Sequence, residues 1–468
     1  WDGTNTTADA DGGNGTWDNL TTPNWDDAAT AGNSVTWDNT AGDTANFGGT
    51  AGTVLFGGDI TAAGIDFSTA GYSLNLGVGQ TLTVNNISAS GGGTSFIIGT
   101  TGTSGNHFVN NGGSTLTIQT ATSADRFSFA TIGGGNQRHI NIIGTGGLDI
   151  SGPGYVNMRV ISNAGTGQVN ISGGATVLIN NGNSPASTTA SLGTGNINIA
   201  GGVLEGYFTG SFRNVLGAGN TQLQMSGVSG FSGNGNWDVR LNNNTNTVTW
   251  GSTFFNVSTL VLQAETAGSA STLTFRNGLD LSGSNRTVTN LSSSGAIADM
   301  VGVISNSTGT AGLTKQGAGE LRLSAVNTYN GDTFVDDGTL TLSTNAELLF
   351  AIGALGENNA ILGDASNATL NLNGILAFNL SGASTTAGDF WNIVDVGNLT
   401  ETYDDATFSV RSINGGSFTE TANVWTIEEN GTTYSFAQDT GILSVVPEPS
   451  AALLGGLGCL LLLRRRRA

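Results

Sequence analysis

The sequence predicts an all-β chain wound as a β-solenoid, capped at both ends and finished by a short hydrophobic C-terminal helix. Three observations predict it. Glycine is in excess while proline is scarce: 74 Gly and 5 Pro in 468 residues, with only 10 % charged. Apolar and polar residues alternate in short runs. A strand-and-corner unit returns at offsets in the twenties. Disordered chains carry more charge and less apolar content than the 37 % found here. Short runs rich in Thr, Ser, Asn and Val with many tight turns fit β-structure instead. The length exceeds one ordinary globular core, which leaves two or three domains or one elongated repeat.

The repeating unit is an alternating strand followed by Ser or Ala and then Gly. It reads Leu148-Asp149-Ile150-Ser151-Gly152, Val169-Asn170-Ile171-Ser172-Gly173 and Ile197-Asn198-Ile199-Ala200-Gly201. It returns as Leu223-Gln224-Met225-Ser226-Gly227, Leu279-Asp280-Leu281-Ser282-Gly283 and Phe378-Asn379-Leu380-Ser381-Gly382. Ile150, Ile171, Ile199 and Met225 are offset by 21, 28 and 26 residues. Alternation at period two makes one apolar and one polar face, and Gly allows a corner where φ turns positive. Asn-Gly pairs starting at Asn111, Asn181, Asn234, Asn277, Asn330, Asn373, Asn414 and Asn430 add further turns. Such offsets suit one rung of a solenoid. Inward Ile, Val and Leu would stack, and outward Thr, Asn and Ser would form hydrogen-bonded ladders. About 330 residues at about 25 per rung would make ~13 rungs and a rod of roughly 60 Å. An array of β-sandwiches is the competing arrangement; six near-identical units favour the translational repeat.

One segment is sharper. It runs Gly312-Leu313-Thr314-Lys315-Gln316-Gly317-Ala318-Gly319-Glu320-Leu321-Arg322-Leu323, passes Asn327, Tyr329, Gly331, Thr333 and Val335, and closes at Gly338-Thr339-Leu340-Thr341-Leu342. Taken alone, it is three alternating strands with Gly at the corners. It resembles the autotransporter-associated β-strand repeat at every position of that pattern. The resemblance implies a right-handed parallel β-helix of passenger type. Passenger domains precede a C-terminal barrel of long alternating strands, whereas only 126 residues follow Leu342 here. Secretion through a fused barrel is therefore not expected.

The chain divides into a Trp/Asp-rich N-terminal cap (1–50), the solenoid (51–382, with the repeat at 312–342), a C-terminal β cap (383–446) and a tail (447–468). The first part carries Trp1-Asp2, Trp17-Asp18, Trp25-Asp26 and Trp37-Asp38, at spacings too short for a WD propeller. Bulky residues are expected to cover the open end of a solenoid; Trp17, Trp25 and Trp37 are alternatively a sugar-stacking platform. Asp9 and Asp11 hint weakly at a Ca²⁺ loop, but Leu20 stands where an EF-hand needs Glu and Trp17 where the Ca²⁺-binding nonapeptide needs Asp. No other cofactor is expected. The 383–446 segment gains aromatic residues and reads as antiparallel strands. The run Leu348 to Ile352 is too short for periodicity to choose between a helix and a buried strand.

The tail reads Pro447-Glu448-Pro449, an uncharged run from Ser450 to Leu463, then Arg464-Arg465-Arg466-Arg467. Pro-Glu-Pro blocks helix and sheet pairing and stays open to a processing enzyme. The apolar run would span roughly 21 Å as a helix, short of a full crossing; snorkelling Arg side chains make up the difference. The Arg cluster would stay cytoplasmic and place the body outside. This tail resembles the PEP-CTERM sorting signal of Gram-negative bacteria. The resemblance implies recognition by an exosortase-type enzyme, with transient membrane contact through the tail, its removal, and export to the outer surface or extracellular matrix. A chain starting at Trp1 also suggests that a signal peptide preceded it.

Charge and missing motifs exclude several classes. The formal net charge is −20, and no Lys or Arg precedes Arg126, so nucleic-acid binding is not expected. The single cysteine, Cys459, excludes an internal disulfide and a cysteine metal site. His107 and His139 are the only histidines and sit in no zincin motif, no nucleophile elbow occurs, and Lys315 is in no phosphate-binding loop. Asp332, Asp336, Asp337 and Glu320 cluster in sequence, as a carbohydrate-cleaving β-helix would require, yet they fall at corners where polar residues are the default. The expectation is a non-enzymatic structural or adhesin-like surface protein, with envelope or extracellular polysaccharide and self-association as candidate contacts. A carbohydrate-binding or carbohydrate-cleaving β-helix and a subunit of an extracellular fibre are the alternatives.

Overall fold

A computed structural model describes residues 1–4, 11–26, 34–99, 107–129, 140–179, 185–207, 209–263, 271–293 and 295–447. Among them the chain is nearly all β, with long parallel sheets and one short helix. It forms two compact units, Trp1–Asn277 with Thr289–Ala298, and Gly278–Val288 with the residues from Asp299 onward. The division falls inside the span 51–382 expected to be one solenoid.

In the first unit the chain lays strands into parallel ladders. One ladder runs through Thr44–Phe47, Gly64–Phe67, Asn86–Ala89, Leu116–Thr120, Leu148–Ser151, Val169–Ser172, Ile197–Ala200 and Leu223–Asn234. Its register places Ala45, Ile65, Ile87, Ile118, Ile150, Ile171, Ile199 and Met225 in one column. Every member is buried, and each large aliphatic contributes about 1.5–3 kcal/mol relative to exposure. The offsets between Ile150, Ile171, Ile199 and Met225 in the sequence are thus the register itself. A second ladder starts at Thr53–Phe56 and Ser73–Leu76 and reaches Val203–Tyr207. A third joins Ile60–Thr61, Thr81–Thr83, His107–Asn110, Ile140–Ile142 and Ser162–Asn163.

The helix Pro185–Leu192 takes the place of the next strand in that third ladder. It packs against Ser162–Asn163 on one side and Gly210–Asn214 on the other, and the Asn163 amide donates to the Ser191 carbonyl at 3.1 Å.

Corners behave as their glycines require. Gly152, Gly173, Gly201 and Gly227 have φ of 94°, 66°, 90° and 67°. A Cβ at Gly152 would collide with the Thr120 carbonyl oxygen, so both conformation and space demand Gly. Outward polar residues form inter-turn ladders: Asn198 donates to Asn170 at 3.2 Å, Gln224 to Asn196 at 2.6 Å and Ser88 to Asp66 at 2.6 Å.

The second unit repeats the scheme. Leu313–Gln316, Thr333–Val335, Ile361–Leu362 and Val394–Asp395 form one parallel ladder. Glu320–Leu323, Thr339–Leu342, Thr369–Leu372 and Thr400–Tyr403 form another. Val326–Asn327, Glu347–Ala351, Ile375–Asn379 and Ser409–Ser412 form a third. Leu348 to Ala351 is therefore strand, with Leu348 and Phe350 buried. An antiparallel sheet follows, in the order Phe390–Asn392, Ile442–Val445, Thr432–Ala437, Val424–Glu429, Thr419–Thr421. Its outer strand Thr419–Thr421 is exposed and carries Glu420, a charge that discourages edge pairing.

Candidate functional site

The segment from Leu313 to Leu342 shows what its motif residues do. Lys315 is fully buried. Its Nζ donates to the carbonyl oxygens of Gln316 at 3.1 Å, Gly317 at 2.5 Å and Asp337 at 2.7 Å. Three donors meet three acceptors and tie one turn to the next. Burial pushes the ammonium down to about 8, opposed by the nearby Asp337. Asn327, also buried, accepts from the Ile304 amide at 2.9 Å and donates to the Ala325 and Glu347 carbonyls at 3.0 and 3.2 Å. One side chain therefore spans three successive turns. Tyr329 and Thr333 share a hydroxyl hydrogen bond at 2.5 Å, and burial raises the Tyr329 phenol well above its ordinary value. Gly317 and Gly338 turn the corners at φ 79° and 63°.

A cleft of about 580 Å³ opens beside this segment, within the second unit. Asn330, Asp332 and Phe334 of the repeat line it with Asn285, Glu357, Asn358, Asn379 and Ser381. Phe334 lies between Thr314 and Leu362 on the outward face and is half-buried. Asp332 accepts from the Ala360 amide at 2.8 Å. The wall formed by residues 352–360 is held from within: Asn359 accepts from the Ala351 amide at 2.8 Å and donates to the Leu349 carbonyl at 2.9 Å. Asn358 donates to the Asn392 carbonyl at 2.6 Å.

The four carboxylates that are close in sequence are not brought together. Of them Asp332 alone lines the cleft. Glu320 pairs with Arg322 at 2.9 Å, Asp336 accepts from Gln316 at 3.2 Å, and Asp337 accepts from the Gly338 amide and from Asn367.

The indoles of Trp17, Trp25 and Trp37 correct the sugar-stacking alternative. They are 0 %, 6 % and 5 % exposed and pack on one another, with ring centroids 4.9–5.1 Å apart. Trp1 joins them 5.0 Å from Trp25. Ring faces spent on neighbouring rings form a core. A second cleft runs past Trp25 and Trp37, flanked by Asp26, Asp38 and Asp43. Of the weak Ca²⁺ pair, Asp9 lies outside the described residues, and Asp11 donates its backbone amide to Asp2 at 3.2 Å. Among the described residues no three His, Cys, Asp or Glu side chains gather as metal ligands. His107 is buried, its Nδ1 2.9 Å from the Gly77 carbonyl oxygen; His139 lies outside the described residues. Pro447 is exposed at their end, and Glu448, Pro449 and Arg464 to Arg467 lie beyond it. No helix among the described residues is long and apolar enough to cross a membrane.

Sequence reasoning missed a buried polar group in the first unit. Tyr155 donates to Glu205 at 3.0 Å, and burial raises Glu205 to about 7. The Arg126 guanidinium lies over the Tyr155 ring, 5.0 Å from its centre. The available signal was an acid at an alternate position of the otherwise apolar strand Val203–Tyr207.

No curated protein and no solved structure matches the chain. Residues 313–342 match the family model of the passenger-associated-transport-repeat, so the segment knitted by Lys315, Asn327 and Tyr329 is a repeat of the autotransporter passenger type.

Proposed function

We propose that this chain is an exported, non-enzymatic structural or adhesin-like protein of the cell surface or extracellular matrix. It is wound as a right-handed parallel β-helix and sorted through its PEP-CTERM tail. The observation that carries this reading is the passenger-type repeat at 313–342, whose motif residues serve turn-to-turn cohesion. Lys315 and Asn327 hold backbone, and Tyr329 a neighbouring hydroxyl, which is what a scaffold repeat needs. The tail residues Pro447, Glu448, Pro449 and Arg464 to Arg467 support sorting through a Gram-negative inner-membrane intermediate by an exosortase-type enzyme. The absence of a hydrolase or nucleotide-binding motif in the sequence supports a structural role.

Intact mass of the protein isolated from its native envelope tests this reading. The expected mass ends near Val446. A mass that includes Arg464 to Arg467 would refute processing and leave a membrane-anchored surface protein.

A further inference from the structure

We propose that the cleft beside the repeat binds an uncharged polysaccharide chain. This goes beyond a structural role and does not depend on the route of export.

Charge selects the class first. Among the described residues no Lys or Arg lines the cleft, while Asp332 and Glu357 do, and the chain as a whole carries −20. A phosphate, sulfate or uronate would meet two carboxylates and no cation. Hydrogen-bonding groups then point to hydroxyls. Asn285 accepts from the Gly312 amide at 2.8 Å, and Asn379 accepts from Ser381 at 2.7 Å. Each amide is anchored through its oxygen, leaving an Nδ2 donor for the cleft it lines. The carboxylates supply acceptors. A sugar hydroxyl both donates and accepts, so this mixture of amides and carboxylates suits it. Phe334 adds a half-buried ring on which the apolar face of a sugar can rest. The volume of about 580 Å³ lies within the ~300–1,000 Å³ of small-ligand sites.

A peptide is the main competitor, and the floor argues against it. Strand addition needs an open edge. Thr333–Val335 is paired on both sides, to Leu313–Gln316 and Ile361–Leu362. Glu347–Ala351 is likewise paired to Val326–Asn327 and Ile375–Asn379. The walls are held by Asn358 and Asn359, so little ordering is left for binding.

Calorimetric titration of the full chain with cellohexaose, maltohexaose and mannohexaose, and with hexagalacturonate as the anionic control, tests the proposal. At least one neutral hexasaccharide is expected to bind. Phe334→Ala and Asn379→Ala should each weaken it by about tenfold, the scale of one stacking or hydrogen-bonding contact, without moving the thermal midpoint. Val326→Ala, exposed and outside the cleft, should bind as the parent does. No binding of any neutral hexasaccharide, a preference for the uronate, or unchanged binding by both cleft variants would overturn the proposal. If Phe334→Ala does not fold, Asn379→Ala decides.

Discussion

Arg411 donates to both carboxylate oxygens of Glu347, at 2.7 and 2.8 Å, across 64 residues of sequence. The two residues lie on strands separated by Ile375–Asn379, so the pair clamps three adjacent strands of one ladder. The Glu347 side chain is 6 % exposed and that of Arg411 36 %. A bidentate fork of this kind is the strong form of an ion pair.

Replacing Arg411 with Ala should therefore destabilise the second unit by about 2 kcal/mol. This is less than the ~3–5 kcal/mol for breaking a fully buried pair, because Arg411 remains partly in water. The double variant Glu347→Leu/Arg411→Leu should recover most of the loss, since no charge is then stranded. Urea unfolding of the three proteins measures both effects. A double variant as weak as the single one would show that geometry, and not the stranded carboxylate, sets the cost.

Lys315 and Tyr329 give the second unit a pH optimum on the alkaline side. The folded-state Lys315 sits near 8, below its ordinary 10.5. Between these values the unfolded chain binds more protons than the native one, so stability rises with pH. Tyr329 is raised by burial above its ordinary 10.0. Its contribution is complete below about pH 10 and is lost as pH climbs further. Urea midpoints should rise from about pH 8 to about pH 10 and then fall. Lys315→Met should remove the rising limb and keep the falling one. A flat profile in the parent protein would contradict the assignment.

Glu205 makes the opposite demand on the first unit. Its carboxyl is raised from 4.5 to about 7 by burial. A raised group contributes stability that is complete below about pH 4.5 and is lost as pH rises through about 7. Thermal melts should show the first unit weakening across that window, and Glu205→Gln should flatten the dependence. If Glu205→Gln leaves the slope unchanged, another group titrates there.

Much of the β architecture was legible because its causes are local. Ile150, Ile171, Ile199 and Met225 announced their shared column through period-two alternation followed by Gly. Their glycines have positive φ, as the corner requires. The sixth copy departs: Gly382 does not take positive φ, and it lies at the rim of the cleft. The stretch Pro185–Leu192 was opaque, since its short Ser/Thr-rich run has no marked apolar face. Contacts with the turns on either side hold it as a helix. The carboxylates near the repeat were visible as residues, but only the turn-to-turn register separates Asp332 from Glu320, Asp336 and Asp337.

By itself the sequence determined the all-β character, the corners of five of the six repeated units and the passenger-type segment, because alternation and glycine conformation act within a few residues. Tertiary structure alone decided that Trp17, Trp25 and Trp37 are core, that Glu205 is buried, that Lys315 caps three carbonyls and that Asn285, Asp332 and Asn379 share one cleft. Those facts depend on which turn stacks on which, and burial and electrostatics are set by neighbours as far as 22 to 64 residues away.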